Sequence, residues 1–135
     1  MKVSYALQVM SRTVAAVITL HATHGKLPRT ALPTATLLLR LNDLLDVLNS
    51  CARFDPCSKR RAISSLHPAT AGEHMQFLQE SDAWLQRWTV GGGASIDSIR
   101  GLRQTIKGVV KIWDLCQAAG CTFLCTRRLN QDPSY

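Results

Sequence analysis

Apolar positions in this chain fall into four stretches of helical period, separated by glycine and proline. In the first, Val3, Leu7, Met10, Val14, Val17 and His21 recur three or four residues apart, which aligns them on one face of a helix from about Val3 to His21. Gly25 and Pro28 end it. Pro33-Thr34 is an N-terminal signal for a second helix, and Leu37, Leu38, Leu41, Leu44, Leu45 and Leu48 carry its pattern to about Asn49. From Cys51 to Gly72 the period is lost, and Pro56, Pro68 and a serine pair predict a long loop with one short turn. A third helix is expected over about Glu73 to Trp88, with Phe77, Leu78, Trp84, Leu85 and Trp88 on one side. Gly91-Gly92-Gly93 is the clearest hinge, because residues without a Cβ leave the backbone nearly unrestrained. A fourth helix over about Ser98 to Ala119 turns Ile99, Leu102, Ile106, Val109, Val110 and Trp113 inward, and Gly120 stands in a C-capping position. Thr122 to Thr126 predicts a short extended piece. The expected fold is therefore all-α: a helical bundle fragment with a long loop and a short extended C-terminal tail.

Composition narrows the function classes. Hydrophobic residues make up 46% of the chain, enough for a core, yet no apolar run approaches the roughly 18 residues that span a bilayer. The opening residues Met1 to Ala6 lack the apolar stretch and cleavage site of a signal peptide. Five cysteines, an odd number at irregular spacing, point to reduced intracellular thiols rather than a disulfide framework. The net charge of +7 favours polyanionic partners, nucleic acid or nucleotide phosphate. Only Lys59-Arg60-Arg61 and Arg127-Arg128 cluster, and three residues are too few for a localisation signal.

Candidate chemistry concentrates in the second helix. Asn42, Asp46 and Asn49 lie at i, i+4 and i+7 and share a face beside the leucine stripe. A carboxylate between two amides can accept from paired N–H donors, as on a guanine edge, or from a ribose diol. The same spacing also describes a solvated helix face. No G-x-x-x-x-G-K-[ST] loop is present, and Gly91 to Gly93 lacks both the Lys-Ser/Thr and a preceding strand. His21 with His24, Cys51 with Cys57 and Cys121 with Cys125 do not combine into the paired spacings of a zinc site, so no metal is expected. A cysteine nucleophile has no supporting local motif, and Trp84, Trp88 and Trp113 stand at core spacing rather than as base-stacking platforms.

Four segments, in order, change the weighting. Met1-Lys2-Val3-Ser4-Tyr5-Ala6-Leu7-Gln8-Val9-Met10-Ser11 continues through Ala15 and resembles M-K-V-x-x-A-x-Q-V-x-S-x-x-V-A. Leu41 to Ser50 resembles L-N-D-L-F-D-x-L-N-S with Leu45 in place of the aromatic, and Gly101 to Gly108 resembles G-L-x-x-T-I-x-G. Thr126-Arg127-Arg128-Leu129-Asn130-Gln131-Asp132 resembles the segment reading L-N-Q-D-x-x-E. Together they are similar to P-element-type DNA transposases, including the THAP-domain relatives.

That resemblance implies a GTP-binding insertion domain over residues 1–90 and a truncated C-terminal ribonuclease-H-like segment over 91–135. It implies nucleotide contacts from Lys2, the backbone at Val3, Ser11, Asp46, Asn49 and Asp132, with GTP as cofactor and room for Mg²⁺ beside it. Transposon DNA would be a partner in a full-length context, pairing with a full-length transposase is allowed, and the setting would be nuclear, with no membrane. The family's third catalytic carboxylate falls on Tyr135, a phenol with an ordinary pKa of about 10 and a poor ligand for a hard cation. With the first two carboxylates expected upstream of Met1, no catalytic residue is assigned and the chain is not expected to act as an enzyme alone. The alternative is a basic helical module for DNA or protein contact, or a transposon remnant, without nucleotide binding.

Overall fold

Four α-helices and one two-stranded sheet appear in the computed structural model, which describes residues 8–66, 68–89 and 96–129. The helices are α1 (Arg12–Thr23), α2 (Leu32–Leu48), α3 (Pro68–Gln86) and α4 (Asp97–Ala118). Strand β1 (Ile63–Ser64) pairs antiparallel with β2 (Phe123–Leu124), Ile63 opposite Leu124 and Ser64 opposite Phe123. The all-α expectation holds. The described residues divide into two compact units, one ending at Leu45 and the other starting at Asp46, so the division falls inside α2. The glycine run expected to be a hinge lies outside the described residues, and the helices on either side of it, α3 and α4, belong to the same unit.

In the first unit the expected single helix from Val3 is interrupted. Met10 and Ser11 are non-helical, and Ser11 takes the extended backbone of an N-cap (φ −99°, ψ 154°), its Oγ accepting from the Val14 N–H at 3.3 Å. A serine hydroxyl offers the backbone an alternative to the helical ladder, which makes it a start signal rather than an interior residue. The buried face of α1 is centred on Ala15 and Ala22 with Ile18 half-buried, one residue round from the expected stripe; Val17 is exposed. Gly25 ends α1 as expected. At φ +72° it lets its own N–H reach the Ala22 carbonyl and the Lys26 N–H reach that of His21, the paired bonds of a Schellman motif.

The second unit holds the larger core. Val47 and Leu48 of α2, Ile63 of β1, Leu78 and Leu85 of α3, and Ile106, Val109 and Trp113 of α4 are all buried. Along α3 the buried positions are His74, Leu78, Ser81 and Leu85, while Phe77 and Trp84 are half-buried, as is Trp88, two residues past the helix end at Gln86 and so outside the helix expected to reach it. Trp84 and Trp88 meet edge to face at 5.0 Å. Arg103 of α4 donates to both carboxylate oxygens of Asp82 on α3, at 2.7 and 3.4 Å, and so links the two helices at the edge of the apolar contact.

Helix α3 starts at Pro68, five residues before the expected Glu73. Proline breaks a helix interior but suits a first turn, where its missing N–H has no partner to lose. The stretch before it is not a plain loop. Ala52 bridges Arg61, a 3₁₀ turn covers Ser58–Arg60, and β1 follows. His74 fastens this stretch to α3. Its Nε2–H donates to the Ser58 carbonyl at 2.9 Å, which leaves Nδ1 as the unprotonated nitrogen, buried and with no hydrogen-bond partner among the described residues.

Replacing Trp113, 2% exposed, by alanine should cost about 3–5 kcal/mol of unfolding free energy, read from urea denaturation, because it empties the largest buried volume of α4. A second expectation concerns acid. Burial, opposed by the bond to Ser58, pushes His74 below its ordinary 6.5, so the unfolded chain binds the proton more readily than the fold. Stability is then greatest above that ordinary value and declines as pH falls below it towards the lower folded pKa. Comparing denaturation midpoints of wild type and His74→Gln from pH 7.5 to 4.5 checks this: equal slopes would show that His74 titrates normally in the fold.

Candidate functional site

The end of α2 and the segment that follows β2 are fused by buried hydrogen bonds. Thr126 Oγ1–H donates to the Val47 carbonyl at 2.7 Å. The same oxygen accepts from the Ser50 N–H at 2.9 Å and, with its only hydrogen committed, from the Ser50 hydroxyl at 3.0 Å. In return the Thr126 N–H donates to Ser50 Oγ at 3.3 Å and the Arg127 N–H to the Ser50 carbonyl at 3.0 Å. Ser50 and Thr126, 76 residues apart in sequence, are both almost wholly buried. Val47 and Ser50 belong to the L-N-D-L-L-D-V-L-N-S stretch, and Thr126 opens T-R-R-L-N, so two of the four singled-out segments are joined here.

Asp46 and Asn49 lie in this second unit, half-buried at the end of α2, with the Asn49 N–H donating to the Asp46 carbonyl at 3.3 Å. Asp46 also acts on a basic residue that the sequence pattern did not single out as a site. The Arg60 guanidinium is held above its ordinary pKa first by a hydrogen bond with Cys57, then by the charge of Asp55, with Cys57 and Asp46 adding to it. Its Nε stands 3.7 Å from Asp55. The only sequence signal for this residue was the Lys59-Arg60-Arg61 run. Of those neighbours, Lys59 sits 3.8 Å over the ring of Phe77, and Arg61 Nε–H donates to the Asp55 carbonyl.

Ser11 and Asn42 belong to the first unit, where both serve the start of α1. Ser11 caps Val14, and Asn42 Oδ1 accepts from the Arg12 N–H at 3.2 Å. Both accept from first-turn amides that have no partner inside the helix. The Arg12 side chain pairs with Asp43 at 2.6 Å. Thus the first and second singled-out segments also meet, through Ser11-Arg12 and Asn42-Asp43. Lys2, Val3, Asp132 and Tyr135 lie outside the described residues.

The described residues line several concavities. One of about 480 Å³ on the first unit runs past Arg12, Ala15, Thr19, Ala35 and Leu39. A second, about 270 Å³, lies between α3 and α4 and is lined by Asp82, Lys107, Lys111 and Asp114 around Ile106 and Val110. A third, about 260 Å³, is lined by Cys51, Cys125, Arg127 and Arg128, directly beside the Ser50–Thr126 bonds. Next to it Arg53 stacks on two rings, 4.8 Å from Phe123 and 5.8 Å from Phe54. Phe54 is 78% exposed. Among the described residues no group of three or more His, Cys, Asp or Glu side chains is placed to hold a metal, and no helix is long and apolar enough to cross a membrane.

Comparison with protein-family models, curated proteins and solved structures finds no match.

Thr126→Val should destabilise the fold by about 2–3 kcal/mol, because it strands the Val47 carbonyl and two donors of Ser50 in a dry site. Thr126→Ser keeps the hydroxyl and should lose only about 1 kcal/mol, the worth of one buried methyl. Equal urea midpoints for Thr126→Val and wild type would show that the bonds contribute nothing.

Proposed function

We propose that the chain is a piece of a P-element-type DNA transposase: its helical GTP-binding insertion, with the start of the C-terminal ribonuclease-H-like segment, able to hold GTP and unable to cut DNA alone. The observation that carries this reading is the buried union of Ser50 with Thr126. Segments that resemble the family in two widely separated stretches are held together by side chains within those stretches, as expected if they serve one site. The contact of Ser11-Arg12 with Asn42-Asp43 is a second support.

In this reading Asp46 accepts from the N–H pair of a guanine or from a ribose diol, and Asn49 supplies an amide beside it. Arg60, charged and within the field of Asp46, supplies a cation for the phosphates. Lys2, the backbone at Val3, and Asp132 complete the contacts that the resemblance implies, with Mg²⁺ admissible at the phosphates. Ser11 contributes by shaping the start of α1, its hydroxyl lone pair being engaged by Val14. Exposed Val9, Val17 and Leu20 on the first unit fit a module that leans on the rest of a larger catalytic domain; a nuclear setting is implied by the resemblance alone. Tyr135 in the third carboxylate position is why no strand transfer or nicking is assigned to the chain alone.

The second reading, a basic module that contacts DNA without nucleotide, is favoured by one feature: Arg53 stacked between Phe54 and Phe123, next to the cleft of Arg127 and Arg128. Guanidinium and aromatic surface side by side suits unpaired nucleic acid.

Titration with a fluorescent GTP analogue separates the two. Saturable binding, competed by GTP more strongly than by ATP, is expected, with Asp46→Asn and Asn49→Ala each weakening it about tenfold or more, the worth of one charge-assisted hydrogen bond. A protein that is folded by circular dichroism, shows no saturable GTP binding, and binds DNA with a steep salt dependence would overturn the GTP reading in favour of the basic module.

A further inference from the structure

Helix α4 ends in a Schellman motif that places two cysteines against each other. Ala119 is the C-cap, and Gly120, at φ +83°, is the left-handed residue after it. The Gly120 N–H donates to the Gln117 carbonyl at 3.0 Å and the Cys121 N–H to the Cys116 carbonyl at 2.8 Å. In this motif the residue two past the cap and the residue three before it bring their side chains together, usually as an apolar contact. Here those two residues are Cys121 and Cys116. Cys121 is exposed and Cys116 half-buried, and the Cys121 thiol is near enough to help raise the pKa of Cys116.

We propose that Cys116 and Cys121 form a modification site, a dithiol that closes into an intramolecular disulfide when it meets a small-molecule disulfide such as oxidised glutathione. The exposed Cys121 reacts first. Its thiolate attacks one sulfur of the reagent, a bond forms between the two sulfurs, and the first glutathione leaves as thiolate and takes up a proton. Cys116 then loses its proton to solvent and attacks the Cys121 sulfur, closing the protein disulfide and expelling the second half of the reagent. Two electrons pass from the protein sulfurs to the reagent, which is reduced to two thiols.

The division of labour follows from the surroundings. Burial, and Cys121 beside it, push the Cys116 thiol up, so it remains protonated and slow towards reagents in solution. Once Cys121 carries a mixed disulfide, Cys116 has its target adjacent, and proximity replaces concentration. Closure would staple the end of α4 to the residue that leads into β2, and β2 leads directly to Thr126.

The test is oxidation of the full chain with glutathione disulfide, trapping of remaining thiols with an alkylating agent, and mass spectrometry with fragmentation to place the bond. Wild type is expected to lose two hydrogens with the link between Cys116 and Cys121. Cys116→Ser should stop at the mixed disulfide on Cys121. Cys125→Ser and Cys51→Ser should close as wild type does. Circular dichroism of each reduced variant confirms that it is folded. A link mapped to Cys51–Cys125 or Cys121–Cys125, closure that survives Cys116→Ser, or alkylation of both thiols after prolonged oxidation would each overturn the proposal.

Discussion

The hydroxyl of Thr126 is the constraint on which the second unit depends. A helix ends with carbonyls that have no partner of their own, and where the end is buried something other than water must satisfy them. At the end of α2 that partner comes from 79 residues away, as Thr126 takes the Val47 carbonyl and receives two donors from Ser50. One oxygen thereby uses its full capacity of one donated and two accepted bonds. The order of the chain follows from it. For Thr126 to arrive at Ser50, the strand before it must run back beside the stretch that follows α2, and β1 and β2 pair along that path.

In the second unit several charged side chains are held in pairs with a carboxylate or an aromatic ring. Lys59 lies on Phe77, Arg53 on Phe54 and Phe123, Arg103 on Asp82, and Arg60 between Asp55 and Cys57 within reach of the field of Asp46. Such pairs hold long side chains in place at modest energetic gain, since exposed ion pairs contribute little. Their effect here is positional. They hold Arg60 beside Asp55 and Arg53 against Phe123, in the stretch that follows α2.

The residues singled out for resemblance turn out to have structural employment as well. Ser11 and Asn42 satisfy the first-turn amides of α1, and Ser50 and Thr126 satisfy the end of α2. A motif residue of this kind is explained in part by folding alone. Asp46 and Asn49 stand beside those contacts, half-buried, with the charge of Asp46 felt at Arg60, and they are the pair on which the proposed nucleotide role rests.

The sequence by itself determined where chain direction changes and which faces are apolar. The period of α4 placed its limits within one residue and picked Ile106, Val109 and Trp113 as buried, while Gly25 and Gly120 marked two helix ends because only glycine takes positive φ without strain. Local signals went astray where one residue type has two uses. Pro68 read as a breaker opens α3, and Ser11 read as a helix interior caps α1. Only the tertiary structure decided what the Cys51–Gly72 stretch does and which chain segment closes the end of α2. The pairing of β1 with the segment before β2 and the closure of α2 span 58 and 79 residues, Thr122 with Ser64 and Thr126 with Val47, and no period along the chain encodes which distant partner will meet a given hydroxyl.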